Sequence, residues 1–162
     1  MGPDFTGAHL QSANLIGTIL QEACFDGADL SRARLSGANL VSASFENACL
    51  AKAEMEFALM ANAVLQGACL READMSGAQL DAAVLTGADL RKANLRGAGF
   101  RHAKLDAADL RNARLGSGTR SARGARDSDP KCPEQTARIY TAPSAQPGSI
   151  SVFGGYARRA RL

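Results

Sequence analysis

From Phe5 to Leu115 every fifth residue is large and apolar: 23 positions, held by 16 Leu, four Phe (Phe5, Phe25, Phe45, Phe100) and three Met (Met55, Met60, Met75). Two residues before each of these stands Ala in 21 of the 23 cases, the exceptions being Pro3 and Thr18. The positions between are mostly polar, as in Ala28-Asp29-Leu30-Ser31-Arg32. A period of five suits neither regular element. On an α-helix five residues advance by about 500°, so successive large residues step round by roughly 140° and cover every face. On a flat strand an odd period sends them to alternate sides. A bend inside each pentapeptide removes the conflict, because it resets the chain direction and turns every Ala and every large residue toward one axis. The pattern therefore predicts a solenoid.

Longer correlations predict its girth. Glycine follows the large residue by two at positions 7, 17, 27, 37, 67, 77, 87 and 97, an alternation of ten that predicts two kinds of bend, one favouring glycine. Phe5, Phe25 and Phe45 are spaced by twenty, as are Met55 and Met75. Twenty residues per coil, hence four sides, is the simplest period that contains both. The repeats then make nearly six coils, and at about 4.8 Å per coil a rod roughly 27 Å long.

Units such as Ala28-Asp29-Leu30, Ala88-Asp89-Leu90 and Ala93-Asn94-Leu95 resemble those of the pentapeptide-repeat family, and the resemblance spans residues 3–117. It implies an all-β solenoid, a right-handed quadrilateral parallel β-helix, which agrees with the four-sided coil. For function it implies less. Some members resemble duplex DNA in shape and charge and bind type II topoisomerases, giving quinolone resistance, while others act as interaction modules.

Composition sharpens the picture. The 162 residues are 46% hydrophobic but 5% aromatic, without tryptophan, and hold 32 Ala and 18 Leu. Few side-chain shapes suffice to fill a narrow repeated core. No apolar run reaches the length of a membrane helix and no basic-then-apolar leader opens the chain, so a cytoplasmic protein without membrane contact is expected. Charge divides at the end of the repeats: residues 1–117 are net −2 and residues 118–162 net +5. The segment 118–162, a basic stretch containing Pro, Gly and Ser, is expected to be partly disordered or to cap the rod. Its Ile150-Ser151-Val152-Phe153 has strand composition and suits the open last coil, while Arg120, Arg123, Arg126 and Arg158-Arg159-Ala160-Arg161 offer a weak nucleic-acid contact. The repeats begin at residue 3 with no preceding cap. Self-association or a partner at that open edge is therefore expected.

Candidate chemistry is sparse. A catalytic centre needs a pocket with convergent polar groups, and a rod filled by Ala and Leu offers none. Neither an enzyme nor a cofactor or metal site is expected. Cys49 and Cys69 stack one coil apart, within disulfide range, and are expected as a reduced pair with a redox clip as the lesser alternative; Cys24 lies on another side, and His9 and His102 lie at opposite ends. Arg71, Arg91 and Arg111 stack as a ladder with Lys92 beside it, either a stripe for an acidic partner or a solvated face eased by Glu72, Asp89 and Asp109. Phe57 and Leu59 are apolar at places usually polar and, with Val64 and Val84, mark a candidate partner surface. The expected function is a non-catalytic interaction or scaffold module. The other reading is a topoisomerase-binding DNA mimic, disfavoured because a duplex carries one negative charge per about 1.7 Å.

Overall fold

The computed structural model describes residues 2–116 together with Thr119. Cys132, Tyr140, Phe153 and Tyr156, the basic clusters and the strand-like stretch noted above lie outside the described residues. From Asp4 onward every fifth residue bridges in parallel to the residue twenty further on, from Asp4↔Cys24 to Asn94↔Arg114. A bridge every five residues, always to the next coil, is the mark of a four-sided coil of twenty residues. The fold is thus that of a quadrilateral β-helix.

Each side of a coil is a pentapeptide. Its Ala and its large residue point inward, and from Ala23 to Leu95 both are essentially sealed from solvent. The inward positions stack in columns one coil apart. Phe5, Phe25 and Phe45 lie ring on ring, with centroids 4.9 Å apart and planes within 12°. That column continues as Leu65, Leu85 and Leu105. At both ends the cover thins: Phe5, Leu10, Leu15, Leu110 and Leu115 are only partly buried.

The corners are alike, contrary to the two kinds of bend predicted from the glycine alternation. At each, the Ala N–H (Thr18 at one corner) donates to the carbonyl of the large residue three before it, as in Ala8 N–H to Phe5 O at 2.9 Å. The residue two past the large one is left-handed at every corner from Gly7 to Asn112, the geometry of a type II turn. Glycines there have φ of 62–71° and other residues 55–61°. Stacking imposes this uniformity. From Gly7 to Lys92 the N–H of each corner residue donates to the coil above, as from Ser12 to Ser31 O at 2.9 Å, and the last coil's corners accept such bonds from below, as Arg101 O does from Ala82 N–H, so a corner of another shape would lose its partner. The lapse in the alternation has a local correlate. Side chains at Asn47 and Phe57 reach up to the glycine of the next coil: a Cβ on Gly67 would fall 2.5 Å from Asn47 Oδ1, and one on Gly77 2.5 Å from the Phe57 ring.

Candidate interaction surface

With the interior closed, whatever chemistry the rod offers lies in the outward columns of its four sides. The second side, built on Leu10, Leu30, Leu50, Leu70, Leu90 and Leu110, is the most charged. Its outward columns are His9, Asp29, Cys49, Cys69, Asp89, Asp109 and, beside them, Gln11, Ser31, Ala51, Arg71, Arg91, Arg111. The arginines do stack as predicted, but carboxylates separate them. Arg91 grips Asp89 with Nε to Oδ1 at 2.8 Å and Nη2 to Oδ2 at 2.5 Å. Its Nε also lies 3.5 Å from Asp109 Oδ2, and Arg71 Nε lies 3.9 Å from Asp89 Oδ2. Arg111 forks onto Asp109 with Nε to Oδ1 at 2.9 Å and Nη2 to Oδ2 at 2.6 Å. The result is an alternating chain, Arg71, Asp89, Arg91, Asp109, Arg111. Along the neighbouring corner Glu72 stands between Lys52 at 3.6 Å and Lys92 at 4.0 Å. The cations are spent on partners within the rod, so this side is a paired, solvated surface.

The pairing tunes the carboxyls. The Arg111 fork holds Asp109 down at about 2, and Arg91 likewise holds Asp89 below the usual carboxylate range. On the third side burial pushes Asp74 up, but hydrogen bonds from Ser76 and Asn94 outweigh it and leave the group lowered. A carboxyl with a lowered folded pKa contributes stability above its unfolded value, and that contribution is lost as pH falls through the folded one. Melting temperature is therefore expected to stay level down to about pH 4, the unfolded value for Asp, and to fall between about pH 4 and 2. In Asp109→Asn the acid slope, followed by circular dichroism, should be shallower; an unchanged slope would remove Asp109 from this account.

The fourth side, opposite the second, has another character. It runs from the corner at Phe57 to the corner at Asn62, and in its three middle coils, residues 38–42, 58–62 and 78–82, Asp81 is the one charged residue. Ile19 is 78% exposed, Phe57 70% and Ile16 45%. Ile19 and Leu59 share one outward column with Asn39 between them. Ile16 and Phe57 border it at the edge shared with the third side. The predicted pair therefore divides: Phe57 projects, while Leu59 is half-buried between Asn39 and Gln79. Val64 and Val84 do not join them. They pair with each other on the first side, half-buried. Ile16 and Ile19 were missed by the sequence reading, although an isoleucine at each of two outward positions was the available signal.

Among the described residues no three His, Cys, Asp or Glu side chains gather to hold a metal ion. Cys24, Cys49 and Cys69 are free thiols, each partly buried.

A family model described as Pentapeptide repeats matches residues 4–37, 38–77 and 78–116. Among solved structures, the pentapeptide repeat protein Rfr23 from the cyanobacterium Cyanothece 51142 is 28% identical with a TM-score of 0.64, over 66% of this chain and 86% of its own. HetL of Nostoc sp. strain PCC 7120, described as involved in heterocyst differentiation regulation, is 33% identical with a TM-score of 0.50, over 72% of this chain and 59% of its own. A further pentapeptide repeat protein from Nostoc PCC 7120 is 36% identical with a TM-score of 0.51, over 54% of this chain and 70% of its own. No curated protein matches the chain.

Proposed function

The chain belongs to the pentapeptide-repeat family, whose fold is a right-handed quadrilateral β-helix and whose members are generally non-catalytic; from that premise we propose that it is an interaction module that meets a protein partner with its fourth side. The observation that carries this reading is the exposure of Ile19 on the side that carries the fewest charges and of Phe57 at its edge. Exposed aromatic and branched apolar anchors within a charge-poor surface are what protein interfaces place at their centres. The other candidates from the sequence support the reading less. Arg71, Arg91 and Arg111 already share Asp89 and Asp109 within the rod, and Lys92 faces Glu72. A DNA mimic would need dense negative charge, whereas residues 1–117 are net −2.

The test compares two sides of one rod. Partners drawn from the native host by the full chain should lose at least about tenfold in affinity on Ile19→Ser or Phe57→Ser. Arg71→Ala and Arg111→Ala, on the opposite side, should leave binding unchanged. The reverse pattern would move the interface to the second side, and stoichiometric inhibition of DNA supercoiling would favour the mimic.

A further inference from the structure

Cys49 and Cys69 are directly paired residues of adjacent coils, so their side chains leave the second side in parallel. The ladder fixes their separation. Cys69 N–H donates to Ala48 O at 2.9 Å and Leu50 N–H to Cys69 O at 2.7 Å, while the same bonds recur in the coils above and below. One coil rises by about 4.8 Å, the spacing of neighbouring strands. That spacing lies inside the α-carbon range of a disulfide, about 4.4–6.8 Å, but above the roughly 3.5–4.5 Å its β-carbons take, so two side chains leaving the ladder in parallel would have to tilt together to close one. A disulfide brings its two sulfurs to about 2 Å, whereas an ion held in line between two thiolates keeps them about two metal–sulfur bonds apart, roughly 4.6 Å if the zinc–thiolate length is taken as an upper guide, which is nearer the spacing the ladder holds.

From this geometry we propose that Cys49 and Cys69 form a two-thiolate site for a soft cation that accepts two ligands in line, of the copper(I) class. The neighbouring carboxylates are engaged elsewhere. Asp29, paired with Cys49, accepts from Ser31 N–H at 2.9 Å and from Gln11 Nε2 at 2.7 Å. Asp89, paired with Cys69, is held by the fork of Arg91. With no third ligand at hand among the described residues the site suits a two-coordinate ion and fails a tetrahedral one such as zinc. On binding, each thiol releases one proton and each sulfur gives one bond to the metal; no electron changes hands.

Copper(I) is titrated without oxygen into the full chain carrying Cys24→Ser and Cys132→Ser, against a coloured copper(I) chelator. One ion per chain should bind, with two sulfur neighbours by X-ray absorption. The melting temperature should rise on loading. Adding Cys49→Ser or Cys69→Ser should weaken binding at least about 100-fold, more than losing a residue that only hydrogen-bonds to a ligand costs, with the far-ultraviolet spectrum unchanged. Zinc(II) should bind far more weakly than copper(I). The proposal is overturned if either serine variant binds as tightly as its parent, if zinc competes equally, or if a small-molecule disulfide readily oxidises the pair to a Cys49–Cys69 disulfide without loss of fold. The site lies opposite the proposed interface, so its failure leaves that reading intact.

Discussion

Phe25→Ala is expected to destabilise the rod by about 3–5 kcal/mol, seen as a lower denaturant midpoint. Phe25 is fully buried, and its ring is sandwiched between those of Phe5 and Phe45 at 4.9 Å on either side. Truncation removes the ring from both neighbours at once. The hole cannot close, because the spacing of the coils is set by backbone bonds such as Phe5 N–H to Cys24 O at 2.7 Å and Phe25 N–H to Ser44 O at 2.7 Å. Phe25→Leu should cost far less, under about 1.5 kcal/mol. Leu65 and Leu85 occupy the same column two and three coils on and are completely buried there. If both variants lost the same amount, the stacked rings rather than filled volume would be the governing interaction.

The second large effect is expected at a corner. Ala82→Pro should cost about 3 kcal/mol or more and abolish the cooperative melt. Ala82 has φ of +58°, while a proline ring holds φ near −65°. Its N–H donates to Arg101 O at 2.6 Å, and proline has none to give. The corner cannot swing aside, since Asp81 O accepts from Asn62 N–H in the coil below at 2.9 Å. Ala82→Gly is the control: it keeps the donor and relieves a left-handed alanine, so it should match or exceed the parent in melting temperature. A Pro variant that melted like the parent would mean that the corner bonds contribute little.

These two sites also show how far the residues speak for themselves. The stack of Phe5, Phe25 and Phe45 follows from their spacing of twenty, because a residue's inward direction is decided within its own pentapeptide. The corner at Ala82 does not follow. Glycine alternates along the chain, which suggests two bends, yet all the corners share one left-handed geometry because each must meet the coil stacked on it, above or below. Leu59 and Ile19 make the same point on the surface. They occupy one outward column and look equivalent in sequence, but Leu59 has neighbours on both sides while Ile19 stands in the first coil, where little covers it. Arg91 was recognisable as one rung of a ladder, and its fork onto Asp89 is local, two residues back; that Asp109 is linked to it depends on side chains meeting across coils.

The five-residue code by itself determined the architecture of this protein: a narrow Ala- and Leu-filled core, four sides, and the residues that stack. Each of those depends on a local alternation of inward and outward positions repeated until only one packing satisfies it. Tertiary structure alone decided which outward residues are neutralised, which are half-covered and which are left to meet a partner. The Arg91–Asp89 and Arg111–Asp109 forks join residues two apart within one coil, but the links that chain them together and the cover over Leu59 run between residues eighteen to twenty apart, through contacts that exist only once one coil rests on another.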